Sequence, residues 1–241
     1  MKVLIIGNDL TSEMIGYLPR IAKESGKELL LANLTLKNCS IERHYRNYTD
    51  EAEVYTYETY LPGITEKMSP DGIALHEAVE DDDWDLICFI QNSSLGGVRE
   101  SYKPYLDELA AYCSLMHPEA RLALAEPWAY ESGFASAEYE KAYGSDSGEM
   151  YQKIVSSCVS AAGEAEIGEI IKIGSAWNAA HGADPDILLT KDGVTPNEAG
   201  RFLSSLCIYK SVFGEMPGEY ISDEINETTA GFLRVCAENI G

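Results

Sequence analysis

Basic residues are scarce in this sequence. Its 241 residues include 18 Lys and Arg against 40 Asp and Glu, which gives a formal net charge of −22. Such an excess of negative charge repels the phosphate groups of nucleic acids and the anionic surface of a membrane. We therefore expect neither nucleic acid nor a membrane among the partners of this protein.

Long apolar runs are absent as well. No run approaches the roughly 20 residues that a membrane-spanning helix needs, and the apolar run at 3–7 is too short for the core of a signal peptide. The six cysteines are scattered and form no Cys-x-x-Cys pair. In a chain without an export signal, this spacing predicts buried, reduced thiols. The sequence thus predicts a cytoplasmic protein.

The common short motifs for nucleotides and hydrolysis are also missing. The sequence has no P-loop, no G-x-G-x-x-G fingerprint and no G-x-S-x-G elbow, and only four histidines. Without these motifs or a recognised metal-ligand spacing, we expect no cofactor and no metal.

Apolar strands alternate with amphipathic helices along the chain. The predicted strands lie at 3–6, 28–36, 85–91, 120–128 and about 167–173. Because these strands are apolar throughout, they predict a parallel sheet with helices on both faces. We expect one α/β domain over residues 1–241, built as a three-layer α/β/α sandwich.

Residues 52–69 interrupt this alternation. Polar and aromatic residues alternate there around a Pro-Gly turn, which predicts an inserted β-hairpin near 52–69. A helix is predicted at 10–22, with Pro19 as a point of kinking, and another at 71–82. Residues 131–148 are rich in Gly, Ser and acidic residues and are expected to form a loop.

Ligands of parallel α/β sheets bind beyond the carboxyl ends of the strands. The polar or aromatic residues that follow the predicted strands are Asp9, Asn38, Ser40, Gln91, Asn92, Ser93, Trp128, Tyr130, Ser175 and Asn178. The segment TKDGVTPNE precedes a strong amphipathic helix. We expect all of these groups to converge on one rim.

Five segments resemble, in their order and spacing, a bacterial family of the SGNH/GDSL hydrolase superfamily. They are IIGNDLT, NLTLKNCSIERH, WDLICFIQNSS, PWAYES and LTKDGVTPNEAGRFLSSL. The resemblance implies a flavodoxin-like sheet and hydrolysis of small or carbohydrate-derived esters. It also implies a serine nucleophile after strand one, a histidine base in an Asp-x-x-His block, and an oxyanion hole. That hole would be formed by a glycine after strand two and an amide side chain after strand three.

Two catalytic positions implied by this resemblance are substituted. The serine position falls on Asp9, and the histidine of the Asp-x-x-His block falls on Thr195, although Asp192 remains. A carboxylate that attacks an ester forms an anhydride, and threonine has no pKa near neutrality with which to move a proton. The substitutions therefore favour a degenerate member that binds a small molecule, such as a sugar or an acylated sugar, without ordinary serine-esterase activity.

Both substituted positions also suit helix starts. Asp9 is a favoured N-cap residue at the beginning of a helix, and residues 195–198, Thr-Pro-Asn-Glu, match a capping box with proline at its first helical position. We therefore expect Asp9 and Thr195 to act as helix caps.

An active hydrolase with relocated catalytic groups is the alternative. Asp9 and Asp192 would share the rim with His44, and two close carboxylates could share a proton or hold a cation. The expected binding residues are Asn8, Asn38, Ser40, Gln91, Trp128 and Tyr130. The two aromatic side chains could stack on a sugar ring, although Trp128 could equally pack at the end of its strand.

Overall fold

The computed structural model describes residues 1–218 and 224–240. Within these residues the chain folds into ten α-helices and one sheet of seven strands. The single domain predicted for 1–241 also includes residues 219–223 and 241, which lie outside the described residues.

The bounds of the elements are as follows. The strands are β1 (Lys2–Asn8), β2 (Leu30–Leu36), β3 (Tyr55–Tyr60), β4 (Asp71–Ile73), β5 (Leu86–Ile90), β6 (Arg121–Ala125) and β7 (Glu169–Ile171). The helices are α1 (Asp9–Met14), α2 (Leu18–Glu24), α3 (Ile41–Thr49), α4 (Leu75–Glu80), α5 (Tyr105–Met116), α6 (Ala137–Tyr143), α7 (Ser147–Glu164), α8 (Ile173–Ala183), α9 (Glu198–Phe213) and α10 (Glu227–Glu238).

The sheet is mixed, with the strand order β4-β3-β2-β1-β5-β6-β7. Five neighbouring strands run parallel, namely β2, β1, β5, β6 and β7. Strand β3 pairs antiparallel with β2, and β4 pairs antiparallel with β3. Helices cover both faces. The predicted α/β/α sandwich is confirmed, and its parallel sheet is extended at one edge by the two antiparallel strands.

Strand β1 shows why the sheet lies in the middle layer. Val3 and Ile5 pack into an apolar cluster with helices α2, α8, α9 and α10. Leu4 and Ile6 face the opposite side and pack with α4, α5 and α7. All four side chains are completely buried, and burying one such side chain stabilises the fold by about 1.5–3 kcal/mol.

The antiparallel edge corrects two predictions. The hairpin predicted at 52–69 continues to residue 73, because Met68 bridges Thr59 and β4 then pairs with β3. The helix predicted at 71–82 consequently begins only at Leu75. Pairing with the free edge of β3 overrides the helical spacing of residues 71–73, because a strand edge offers backbone hydrogen bonds that the sequence pattern does not reveal.

Three other segments differ from the sequence prediction. The helix expected at 10–22 is divided into α1 and α2, with Pro19 in the first turn of α2, where proline is well tolerated. The loop expected at 131–148 contains α6, which Ser136 caps and Gly144 ends in the left-handed conformation. Helix α8 has no counterpart in the prediction.

The cysteines are in the state that the sequence predicts, and the described helices match its lack of long apolar runs. All six cysteines are buried and unbridged, as the sequence predicted. Among the described helices, none combines the length and apolar character needed to cross a membrane.

Candidate functional site

A cleft of ≈ 590 Å³ opens beyond the carboxyl ends of β1, β2 and β5. We call it the first cleft. Of the residues predicted for the rim, those that line it are Asp9, Asn38, Ser40, Asn92, Tyr130, Asp192 and Thr195. The parallel topology thus brings together side chains that are far apart in the sequence, as the strand-end rule leads one to expect.

Asp9 stands directly after β1 and is the first residue of α1. Its Oδ1 accepts a hydrogen bond of 2.8 Å from the backbone N–H of Asn38, which follows β2. The carboxylate also lies at the positive end of a helix dipole. Asp9 therefore links the carboxyl ends of two neighbouring strands.

The N-cap of α1 is Asn8, which corrects the prediction for Asp9. Asn8 has an extended backbone, its Oδ1 accepts from the N–H of Leu10 at 3.0 Å, and its own N–H donates to Thr11 Oγ1 at 2.8 Å. The strand runs two residues further than expected, to Asn8, which therefore takes the position between strand and helix. Because its buried side chain is occupied in this cap, Asn8 does not line the cleft as a binding residue.

Asn38 and Ser40 occupy the segment in which the resemblance implies an oxyanion glycine. Asn38 has a φ of +52°, a conformation that asparagine adopts more readily than most residues other than glycine. Ser40 caps α3 by accepting from the N–H of Arg43 at 3.2 Å. The backbone N–H of Asn38 is thus presented at the cleft, and the Asp9 carboxylate already occupies it.

Asp192 and Thr195 form a compact turn on the opposite wall. Asp192 Oδ1 accepts from the N–H groups of Thr195 at 2.7 Å and Val194 at 3.0 Å, and Oδ2 accepts from the Thr195 hydroxyl at 2.9 Å. These bonds, that of the Thr195 N–H above all, lower the pKa of the Asp192 carboxyl below its ordinary value of 3.8, although partial desolvation opposes them.

The N-cap of α9 is Asn197, so the capping box predicted at 195–198 is wrong. Asn197 Oδ1 accepts from the N–H of Gly200 at 3.1 Å, and Nδ2 donates to the carbonyl of Leu188 at 2.7 Å. A bridge between Thr190 and Pro196 holds Pro196 outside the helix. This pairing delays the helix start and leaves Thr195 bound to Asp192.

Replacing Asp192 with asparagine is expected to reduce stability in a pH-dependent way. Because folding lowers the pKa of Asp192, its contribution is present above pH 3.8 and is lost as the pH falls through the folded-state value. The loss in Asp192→Asn should be at most about 1 kcal/mol, since the carboxylate is exposed and solvent screens it. Urea unfolding at about pH 7 and about pH 3 measures the difference.

Asp186→Asn is the matched control, because Asp186 is also exposed and accepts no hydrogen bond among the described residues. Its effect should be smaller than that of Asp192→Asn at the higher pH. An equal loss for Asp192→Asn at both pH values would contradict the assignment.

His44 does not lie at the rim. It is completely buried on the inner side of α3, where Nδ1 lies 2.9 Å from the hydroxyl of Tyr55. Desolvation lowers the pKa of the imidazole to about 3 despite the carbonyl of Gly7. A neutral ring shut away from the cleft cannot exchange protons with a ligand, so the predicted catalytic role of His44 is not supported by its position.

Gln91 is buried as well, and it does not line the first cleft. Gln91 Oε1 accepts from the N–H groups of Ile41 and Asn92, and Nε2 donates to Ser101. These bonds use the whole amide to join α3 to β5. Asn92 lines the first cleft instead. Successive side chains after a strand point in different directions, so the strand-end position alone does not decide between them.

Of the two predicted aromatic residues, Trp128 is buried and only Tyr130 lines the first cleft. Trp128 is 1% exposed, stacks on Trp177 at 4.7 Å between ring centroids, and donates Nε1–H to the carbonyl of Val194 at 2.8 Å. It therefore packs at the strand end and is not available to a ligand. Tyr130 lines the cleft beside Phe134, and burial raises the pKa of its phenol to about 12.

Several residues of the cleft were not predicted. Phe134, Ser136 and Glu138 reach it from the segment expected to be a loop, and Ser94 reaches it from the turn after β5. No motif marks the first three, because only the fold of residues 131–143 brings them over the strand ends. Conversely, Ser175 and Asn178 do not line this cleft. The predicted residues therefore do not all converge on one rim.

The first cleft is acidic. Asp9, Glu138 and Asp192 line it, and no Lys, Arg or His does so within the described part of the chain. Among the described residues, no group of three or more His, Cys, Asp or Glu side chains is arranged to hold a metal ion. Such a lining disfavours anionic ligands and suits neutral or cationic ones.

Comparisons with known proteins agree with the fold. The family model described as "Domain of unknown function (DUF4886)" matches residues 2–239. A solved DUF4886 family protein from Bacteroides uniformis ATCC 8492 is 26% identical, with a TM-score of 0.94 over 99% of this chain and 93% of that one. No curated protein sequence matches this chain.

More distant structures share the architecture. A protein from Slackia heliotrinireducens, provisionally assigned as an SGNH hydrolase, is 18% identical with a TM-score of 0.57 over 88% of this chain and 98% of its own. A mutant of an acetyl-xylooligosaccharide esterase from Geobacillus Stearmophilus is 13% identical with a TM-score of 0.53 over 92% and 96%. At these identities the likeness establishes the SGNH-hydrolase-like fold.

Proposed function

We propose that this chain, which belongs to the DUF4886 family, binds a small hydroxylated ligand in the first cleft and does not cleave it by serine-esterase chemistry. The ligand class is a sugar or an acylated sugar. One observation supports this most directly: the Asp9 carboxylate stands at the position that the resemblance assigns to a serine, and it occupies the N–H of Asn38.

An esterase of the SGNH type needs a hydroxyl nucleophile, a base and free donors for the developing oxyanion. Here the nucleophile position holds a carboxylate, and the N–H of residue 38 is already bonded to it. The base position holds Thr195, whose hydroxyl donates to Asp192. The nucleophile and the base are therefore missing at these positions, and one of the two expected oxyanion donors is already bonded.

The lining of the cleft is suited to a neutral ligand with many hydroxyl groups. Ser40, Ser94 and Asn92 supply hydroxyl and amide groups, and the carboxylates of Asp9 and Asp192 can accept further hydrogen bonds. Tyr130 and Phe134 add an aromatic wall, and ≈ 590 Å³ lies within the range of small-molecule sites. The Geobacillus relative, whose description names an acetylated oligosaccharide, supports the same ligand class.

Purified protein should show no enzyme-dependent hydrolysis of short-chain aryl esters or acetylated sugars, with or without Mg²⁺ or Mn²⁺. The same acetylated sugars should stabilise it saturably, by about 1.4 kcal/mol at ten times the dissociation constant. Turnover by the wild type that Asp9→Asn abolishes would overturn the proposal and favour the relocated hydrolase. Absence of both turnover and stabilisation also counts against it.

Asn38→Gly and Glu51→Gly form a matched pair for the binding assay. Both residues are exposed and have positive φ, +52° and +50°, so glycine relieves the same backbone strain in each. Only Asn38 lines the cleft. We expect Asn38→Gly to weaken ligand binding about tenfold, whereas Glu51→Gly should leave it unchanged.

A further inference from the structure

A second cleft, of ≈ 350 Å³, lies beyond the ends of β6 and β7, between α7, α8 and the segment before Leu189. We call it the second cleft. Residues 128–131 and 187–195 form the wall between the two clefts. Tyr130 and Asp192 face the first cleft, whereas Glu131 and Leu188 face the second. The N–H of Glu131 donates to the carbonyl of Gly193 at 2.9 Å and holds the wall together.

The polar groups of the second cleft both donate and accept hydrogen bonds. Asn178 and His181 project from consecutive turns of α8, and Tyr151 faces them from α7. Burial lowers the pKa of His181, although Glu131 opposes this, so the imidazole is neutral at physiological pH. A neutral imidazole offers one donor and one acceptor, a side-chain amide offers donors and an acceptor, and the Tyr151 oxygen, whose proton is donated to Ser175, can accept. This pairing of donors and acceptors matches the hydroxyl group.

The Tyr151 hydroxyl is held in place from below. It donates to Ser175 Oγ at 3.4 Å, and Ser175 in turn donates to Glu126 Oε2 at 2.7 Å. Glu126 is 2% exposed and also accepts from the N–H of Ser175 at 3.1 Å, so its carboxylate caps the start of α8. A buried carboxylate thus fixes the orientation of a hydroxyl at the floor of the second cleft.

The apolar surface and the charge of the second cleft limit the class of ligand that it can bind. Ile187 and Leu188 form one side of the cleft, and the Leu188 side chain is 68% exposed. No Lys or Arg lines the second cleft within the described residues, and Glu131 is its only charged side chain there. Anions are therefore disfavoured, and the C–H face of a sugar ring suits the apolar side.

We propose that the second cleft is a separate binding site for a neutral sugar ring of monosaccharide size. On one side the ring exchanges hydrogen bonds with Asn178 and His181 and donates one to the Tyr151 oxygen. On the other side it makes apolar contact with Ile187 and Leu188. The inference does not depend on the function proposed for the first cleft, because none of these residues lines that cleft.

Protein-observed NMR with xylose, glucose and N-acetylglucosamine tests this site, at concentrations up to about 50 mM because single-sugar affinities are of millimolar order. We expect at least one sugar to shift the Asn178 side-chain amide and the His181 ring resonances saturably. Asn178→Ala and His181→Ala should each weaken binding about three- to tenfold. Both changes place alanine in a helix, where it is well tolerated.

Asp9→Asn serves as the control in the first cleft and should leave this affinity unchanged. Shifts confined to residues of the first cleft, or binding that Asp9→Asn alone weakens, would overturn the second site. So would the absence of saturable shifts with all three sugars. If the first cleft binds no ligand while sugars shift the resonances of Asn178 and His181, the proposed function is refuted and the second site still stands.

Discussion

The double variant Asp9→Ser/Thr195→His is expected to hydrolyse short-chain aryl esters at least about 100-fold faster than the background rate without protein, which is also the rate expected with the wild-type protein. Serine at position 9 supplies a hydroxyl at the first residue of α1. It also removes the carboxylate that now accepts from the N–H of Asn38. That N–H then becomes available to a developing oxyanion, an interaction that lowers the barrier for acyl transfer.

Histidine at position 195 supplies the missing base. Asp192 already accepts from the hydroxyl of Thr195 at 2.9 Å, and its carboxylate is fixed by the N–H groups of residues 194 and 195. The same carboxylate can accept from an imidazole N–H at position 195 and hold the ring in the tautomer that a base requires. Both positions line the first cleft.

The single variants Asp9→Ser and Thr195→His are the controls. Each restores only one partner, and members of a catalytic unit act non-additively, so neither should approach the rate of the double variant. Initial rates with an aryl acetate, measured alongside melting temperatures, separate lost chemistry from lost fold. A stable double variant that is no faster than the wild type would show that the first cleft lacks the other elements of an esterase.

Gly174→Ala is expected to destabilise the protein by about 3 kcal/mol, with a melting temperature lower by about 6–12 °C. Gly174 lies in the first turn of α8, against the end of β6. A Cβ atom there would stand 2.4 Å from the carbonyl oxygen of Pro127, a backbone atom. The N–H of Gly174 itself donates to the carbonyl of Glu126, so α8 cannot move away from the end of β6 without breaking this bond.

Gly182→Ala in the same helix is the matched control. No atom lies within 4 Å of a Cβ added at Gly182, and alanine is a better helix former than glycine, so this change should stabilise by up to about 1 kcal/mol. Thermal and urea unfolding of the two variants measure the contrast. Similar stabilities for the two would mean that α8 does not approach β6 as closely as described.

The sequence by itself determined the architecture and the location of the first cleft. Fully apolar strands separated by amphipathic helices leave few arrangements other than a parallel sheet between two helical layers. Because the carboxyl ends of parallel strands meet at one edge, Asp9, Asn38 and Asp192 could be placed together before any coordinates. The order of the five family-like segments predicted the same fold, which the structural relatives confirm.

The tertiary structure alone decided which residue of each loop faces the cleft. Asn8 and Asn197 cap α1 and α9 in place of Asp9 and Thr195, because strand β1 and the bridge before α9 each extend the chain beyond the expected helix start. Cap positions depend on where the extended backbone ends. That point is fixed by pairing with distant residues, which local sequence preference does not encode.

Burial was likewise decided by the packing of distant elements. His44 faces Tyr55 of β3, and Gln91 joins α3 to β5, so both are shut away although they stand beside the strand ends in the sequence. The second cleft depends on α8 and on a wall formed by two segments about 60 residues apart. Periodicity identifies the face of an element that is apolar. Whether a polar side chain on that element reaches solvent depends on what packs against it, and this is a property of the folded chain.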